Sequence, residues 1–177
     1  AILGIGFSIP AIVGEDGSMI LAIHESMKIS QRFFQKLIER TGFPFKMIND
    51  ANSAAHAECS YHERKSFVYF FLSNSVGGAY VDQEGKIQYG RLMRAGEFGH
   101  VTLHPGGRKC YCGRVGCLNE YCNTMLLSNL TGGNLEQFFA KLKEQDEVCA
   151  EVWETYMDDL ALACQNLLKI YDIPIVL

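Results

Sequence analysis

Four side chains in one short stretch are metal donors by type: His100, Cys110, Cys112 and Cys117, inside GEFGHVTLHPGGRKCYCGRVGCLNEYC. One imidazole and three thiolates make a complete tetrahedral set for Zn²⁺. The C-x-C-G-x-x-G-C spacing keeps the three sulfurs close along the chain. Gly106, Gly107, Gly113 and Gly116 allow the tight turns that wrapping an ion requires. Four protein ligands leave no open coordination position, so the predicted ion is structural. His104 is a competing nitrogen donor, but Pro105 constrains the chain directly after it. The plainer reading is three reduced cysteines that fall together; free cysteines more often scatter through a core as small apolar residues.

Two further groups carry chemistry. Asn49-Asp50 follows a short apolar run and precedes an Ala-rich one. Either residue can cap a helix by accepting an otherwise unpaired backbone N–H. Spacing alone favours the cap; a carboxylate serves as a general base only where it comes within hydrogen-bond reach of the proton it removes. Glu97, three residues before His100, reads either as a solvated loop carboxylate or as a ligand-binding one.

Positioning these groups requires a core, and 177 residues of which 48% are hydrophobic can build one, as a single domain or two small ones. Residues 2–9 read as a buried strand ending at Pro10, and residues 13–18 as a loop turning at Glu15-Asp16-Gly17. A helix is predicted from an N-cap at Ser30 to Gly42, with Phe33, Phe34, Leu37 and Ile38 at helical spacing. A strand over 45–48 and a helix from Asp50 to about Tyr61 follow. This strand–helix alternation points to an α/β layer with a parallel sheet.

The polar residues 62–66 mark a boundary. Beyond it the pattern predicts strands over 67–72, 78–81 and 86–89, the last two joined by a turn at Glu84-Gly85. Helices are predicted over 120–130, 135–143 and 146–171, the last with Val148, Val152, Trp153, Tyr156, Leu160, Ala163, Leu167 and Ile170 on one face. Trp153 shares that spacing and reads as core packing. Both ends, AILGIGFSIP and IPIVL, read as strands cut from a longer polypeptide.

Charge and composition exclude several classes. A net charge of −4 and a pI near 5.7 argue against a nucleic-acid surface on this chain. No apolar run approaches the roughly 20 residues that span a bilayer, and no leader with a cleavage site opens the chain. The chain therefore reads as cytoplasmic, with no membrane partner. Seven cysteines, an odd number, fit a reducing compartment better than a disulfide framework.

E-x-G-H followed by C-x-C-G-x-x-G-C, with GIGFSIPAIVGEDG and INDANSAAHAE upstream, resembles the ROK family (repressors, open reading frames and kinases). The resemblance implies an α/β, actin-like ATPase (ribonuclease H-like) fold in two lobes. Residues 1–64 would form the later half of the first lobe and 65–177 most of the second, with a zinc loop at 97–120 and a sugar cleft between the lobes. It implies that Asn49 and Asp50 bind sugar hydroxyls, with Asp50 the base in a kinase, that Glu97 binds the sugar, and that His100 ligates zinc through one nitrogen and reaches the sugar through the other. Asn119 stands where the family usually has a second sugar-binding Glu, and Glu120 follows it.

A Gly-rich phosphate loop is expected at Ser73, Asn74, Ser75, Gly77 and Gly78, but it is degenerate, because side chains replace several of the family's glycines. Two functions follow from the resemblance. The first is the sugar-sensing body of a transcriptional regulator, which would reach DNA only through an upstream domain absent from this chain. The second is an ATP- and Mg²⁺-dependent sugar kinase of glucokinase or N-acetylhexosamine kinase type. The degenerate loop favours the regulator. A homo-oligomer, dimer or tetramer, is expected in either case.

Overall fold

The structure, a computed structural model, describes residues 2–23, 30–61 and 66–173. The polar boundary at 62–66 falls largely outside the described residues, as does most of the strand predicted in IPIVL.

Strand β1 (Ile5–Ile9) pairs in parallel with β4 (Phe45–Asn49), Ile5 opposite Phe45 and Ile9 opposite Asn49. A parallel pair requires a crossover, and α1 (Gln31–Thr41) lies in it. Gly42 ends α1 in a left-handed conformation, φ 67°, with its N–H on the Ile38 carbonyl. Phe34 is buried against Phe7 and Phe45, with ring centroids 5.0 and 5.9 Å away. With Ile9, Ala11, Val13 and Met47 it makes the first core.

The loop expected at residues 13–18 is the turn of a hairpin that the sequence pattern did not mark. Ala11–Val13 (β2) and Ile20–Ile23 (β3) form an antiparallel hairpin around the predicted turn. Pro10 removes one donor and no more, so pairing resumes at once beyond it. Asp16 holds the turn by accepting the Ser18 N–H and hydroxyl.

The second half opens with the antiparallel hairpin of β5 (Phe67–Leu72) and β6 (Val76–Val81), Phe67 opposite Val81 and Leu72 opposite Val76. The strand predicted over 86–89 is reduced to one bridge, Ile87 with Val81. Asp82 gathers the Glu84 and Lys86 N–H groups into a tight turn, and Gly90 at φ 68° then leads the chain away.

The single helix predicted over 120–130 is broken into α3 (Asn119–Cys122) and α4 (Met125–Ser128). Asn123 causes the break: its amide donates to the Asn119 carbonyl and accepts the Leu126 N–H, closing one helix and capping the next. Helices α5 (Leu135–Lys143) and α6 (Glu147–Tyr171) match expectation, each capped by a side-chain oxygen, from Asn134 and Asp146.

Tyr156, Ala163 and Leu167 of α6 are buried in the larger core with Phe98, Leu118 and Phe138. Trp153 packs against that core, stacked on Tyr156 at 5.8 Å. The ends of the predicted stripe, Val148 and Ile170, are exposed. Helix α2 (Asp50–Glu58) joins the halves: it follows β4 directly and buries Ala55 against Phe67, Ala79 and Val81 of the β5–β6 hairpin. Among the described residues no helix is long and apolar enough to cross a membrane.

Candidate functional site

His100 closes a short 3-10 turn, Phe98–His100. The three cysteines come from the loop beyond it, which is strapped by the bridges Thr102 with Cys117 and Lys109 with Val115. One donor atom from each of His100, Cys110, Cys112 and Cys117 lies within 4.8 Å of all the others. Cys112 Sγ is 3.7 Å from Cys117 Sγ, and Cys110 Sγ is 3.7 Å from His100 Nδ1. Zn–S bonds of normal length around a tetrahedron put sulfurs about 3.8 Å apart; the Cys112–Cys117 pair has that spacing, and the four residues could hold a metal ion.

The electrostatics of the four donors differ: burial raises Cys110 and Cys117, whereas Cys112 and His100 are lowered. Burial pushes the Cys110 thiol up to about 12. Burial acts to raise Cys112 as well, but the Arg114 backbone N–H and side chain, with the neighbouring thiols, bring it down to about 7. Burial lowers His100, against the pull of Glu97, which favours the neutral imidazole that ligates metal. His104 takes no part, since its Nε2 is held by Asp159 Oδ1 at 2.6 Å on α6.

His100 Nε2, the nitrogen expected to reach a sugar, faces the Tyr111 hydroxyl at 3.1 Å and Glu97 Oε2 at 4.0 Å. The Tyr111 and His100 rings meet edge to face at 5.1 Å. The spacing of the cysteines carries no sign of this contact, because Tyr111 is a spacer in that motif.

A cleft of about 550 Å³ opens beside β1, β4, α2 and the loop that leads to Glu97. One wall is a polar stripe of α2: Asn49, Asn52, Ser53 and His56, spaced i, i+3, i+4 and i+7 on one helical face. The opposite face of the same helix carries the buried Ala51 and Ala55. Facing the stripe are Gly78, Tyr89, Met93, Ala95 and Glu97. The helical periodicity of the stripe was present in the sequence; nothing in the sequence marks Met93, which enters the wall in a left-handed conformation, φ 57°.

Asn49 is a helix cap: its Oδ1 accepts the Asn52 N–H at 3.1 Å, and its Nδ2 donates to the Ala11 carbonyl at 3.3 Å. Asp50 is not among the residues that line the cleft; it is the first residue of α2, and its Oδ1 accepts the Ala51 N–H at 2.9 Å. Asn119 is buried away from the cleft, accepting the Val76 N–H and donating to Glu120 Oε1. Both ends of its amide are used to hold the start of β6.

The turn Ser73-Asn74-Ser75 closes through a bond from the Ser73 N–H to the Ser75 carbonyl, and none of the three residues is left-handed. Glycine's conformational freedom is therefore not used in this turn. Gly78 is constrained by contact instead: a Cβ on it would strike the Phe98 ring and the Tyr69 carbonyl.

A model of the ROK family matches residues 1–177. The glucokinase of Halalkalibacterium halodurans is 36% identical over 124 residues, covering 66% of this chain and 36% of that protein. The N-acetylmannosamine kinase of Salmonella arizonae is 41% identical over 88 residues, covering 48% of this chain and 29% of that protein. This chain thus spans about a third of the curated relatives it matches.

Among solved structures, the ROK hexokinase from Thermus thermophilus superposes with a TM-score of 0.77 at 27% identity, covering 98% of this chain and 61% of that one. A ROK family transcriptional regulator, a homologue of the Escherichia coli MLC protein, reaches 0.80 at 19% identity over 98% of this chain and 48% of that one, a likeness of fold alone. The mixed α/β architecture is that of the actin-like ATPases, and the chain belongs to the ROK family.

Proposed function

We propose that this chain forms the sugar-binding part of an ATP-dependent sugar kinase, with a hexose or N-acetylhexosamine as substrate. The observation that carries the reading is the cleft, lined by a polar face of α2 and by Glu97, with Asp50 next in sequence to the lining residue Asn49. The two relatives at 36% and 41% identity are both kinases.

In this reading residues 1–64 and 65–177 belong to two lobes that close on the sugar. Asp50 accepts the proton of the attacking hydroxyl through Oδ2, which takes part in no hydrogen bond among the described residues. The sugar oxygen forms its bond to the γ-phosphorus as the bond to ADP breaks. Mg²⁺ bound with the nucleotide would supply neutralisation of the phosphate charge. Glu97 orients the sugar. Zinc on His100, Cys110, Cys112 and Cys117 is structural, fixing the turn that carries Glu97 and His100.

The regulator reading rested on the replaced glycines at Ser73, Asn74 and Ser75. It loses weight because that turn needs no left-handed residue and leaves Asn74 and Ser75 exposed, and hydroxyl and amide groups can hydrogen-bond phosphate. DNA contact, a cytoplasmic location and homo-oligomer assembly stay with the whole protein.

The test is phosphoryl transfer to glucose and N-acetylmannosamine by the whole protein and by Asp50→Asn. The variant is expected to bind sugar while kcat falls by about 10²–10⁴-fold, the usual contribution of a general base. Sugar binding without ATP turnover by the unaltered protein would instead support the regulator.

A further inference from the structure

We infer that Asn52 is a sugar-contacting residue, its side-chain carbonyl accepting a hydrogen bond from a hydroxyl or acetamido N–H of the bound sugar. The inference rests on the proposal that the cleft takes a sugar, and adds to it the amide that reads the ligand.

Asn52 lines the cleft, yet only 8% of its surface is exposed. Its Oδ1 is fully buried and has no hydrogen-bond partner among the described residues. Leaving a buried carbonyl unpaired costs the desolvation of the group with nothing in return, and native structures seldom tolerate it without a reason. A ligand that donates from the cleft supplies the missing partner.

The neighbouring amides contrast with this one. Asn49 uses its oxygen to cap α2 and its nitrogen to hold the Ala11 carbonyl. Asn119 uses its oxygen on Val76 and its nitrogen on Glu120. Of the three, Asn52 alone leaves a buried side-chain oxygen unpaired among the described residues, and the residue itself lines the cleft. The Asn49 cap reaches the backbone N–H of Asn52, so the position of this residue on α2 is fixed independently of its own side chain.

A carbonyl oxygen selects for donors, and a buried one penalises any ligand that lacks the matching group, since the acceptor then stays unpaired. Asn52 is therefore assigned to discrimination among sugars and not to the chemical step.

The experiment is titration calorimetry of the whole protein with glucose and with N-acetylmannosamine, for the unaltered protein, Asn52→Leu and Asn52→Ala. Leucine keeps the branched heavy-atom shape, with bulkier ends, and removes the orphan acceptor, so the variant should stay folded without sugar, while Kd should rise at least about tenfold, the factor expected for one lost hydrogen bond of this kind. A panel of singly deoxygenated sugars identifies the donor: one member should bind the unaltered protein as weakly as the parent sugar binds Asn52→Leu, and should lose nothing further on the variant. If the leucine variant does not fold, the alanine variant gives the same reading. Unchanged Kd in a folded variant overturns the inference alone, and the oxygen is then satisfied by solvent. Failure of the unaltered protein to bind either parent sugar overturns the proposed function and this assignment with it.

Discussion

Tyr111 and His100 show how much of a site is decided below the level of a motif. The tyrosine hydroxyl sits 3.1 Å from the imidazole nitrogen that the resemblance assigns to sugar. For His100 to contact a ligand through Nε2, that hydroxyl must give way. Tyr111→Phe removes the competing group while leaving the four metal donors in place. The variant should keep its zinc by elemental analysis and bind sugar severalfold more tightly; equal or weaker binding would show that Nε2 does not contact the ligand. That His100, Cys110, Cys112 and Cys117 come together as a group that could hold a metal ion was legible, because Cys and His at close spacing have few other uses. The assignments of Asn49 and Asn119 were less legible, since an amide has two polar ends and only the folded chain reveals what each meets. Asn49 carries the cap that its sequence position already allowed, and Asn119 is buried against Val76 because β6 begins two residues earlier than its apolar pattern suggested.

At the scale of elements, strands and helices followed the apolar pattern wherever one face of an element is buried. The pattern failed where polar side chains redirect the backbone. Asn123 splits one expected helix into two, and Asp82 curls an expected strand into a turn. The β2–β3 hairpin was missed because each strand is short and a proline precedes it. Gly78 belongs to this scale too. It was read as part of a phosphate loop, but its lack of a side chain lets the Phe98 ring lie directly on β6, with the Tyr69 carbonyl 2.7 Å from where a Cβ would stand. Gly78→Ala should therefore destabilise the fold by about 1–3 kcal/mol, the usual penalty for overpacking a core. Gly77→Ala, which would meet only the Ala51 Cβ at 3.1 Å and the Phe71 Cβ at 3.7 Å, should cost less. Urea midpoints of the two variants check the order. A Gly78→Ala protein as stable as the parent but unable to use ATP would return the residue to phosphate binding.

Across the whole molecule, the metal loop is more than a local clasp. His104 ties it to α6 through Asp159 at 2.6 Å. Arg114 donates to the His100 carbonyl and Arg108 to the Glu120 carbonyl, each at 2.7 Å, with the Arg108 guanidinium over the Tyr121 ring. The turn that bears His100 also buries Phe98 in the large core and places Glu97 at the cleft. Loss of the ion should therefore weaken the cleft wall and the core together, while β1, β4 and α1, which pack around Phe34, stay unaffected. Cys112→Ser removes the most exposed and most acidic of the three thiols with little change of shape. It should lower bound zinc to a small fraction of one equivalent and the melting temperature by about 5 °C or more, a few kcal/mol for a chain of this size. Sugar affinity should fall as well, because Glu97 loses its anchor. Amide exchange should quicken across residues 98–118 and leave 31–49 unchanged. A metal-free variant that kept its melting temperature and exchange pattern would mean that the hydrogen bonds to α6 and the packing of Phe98 hold the loop by themselves, with the ion a passenger.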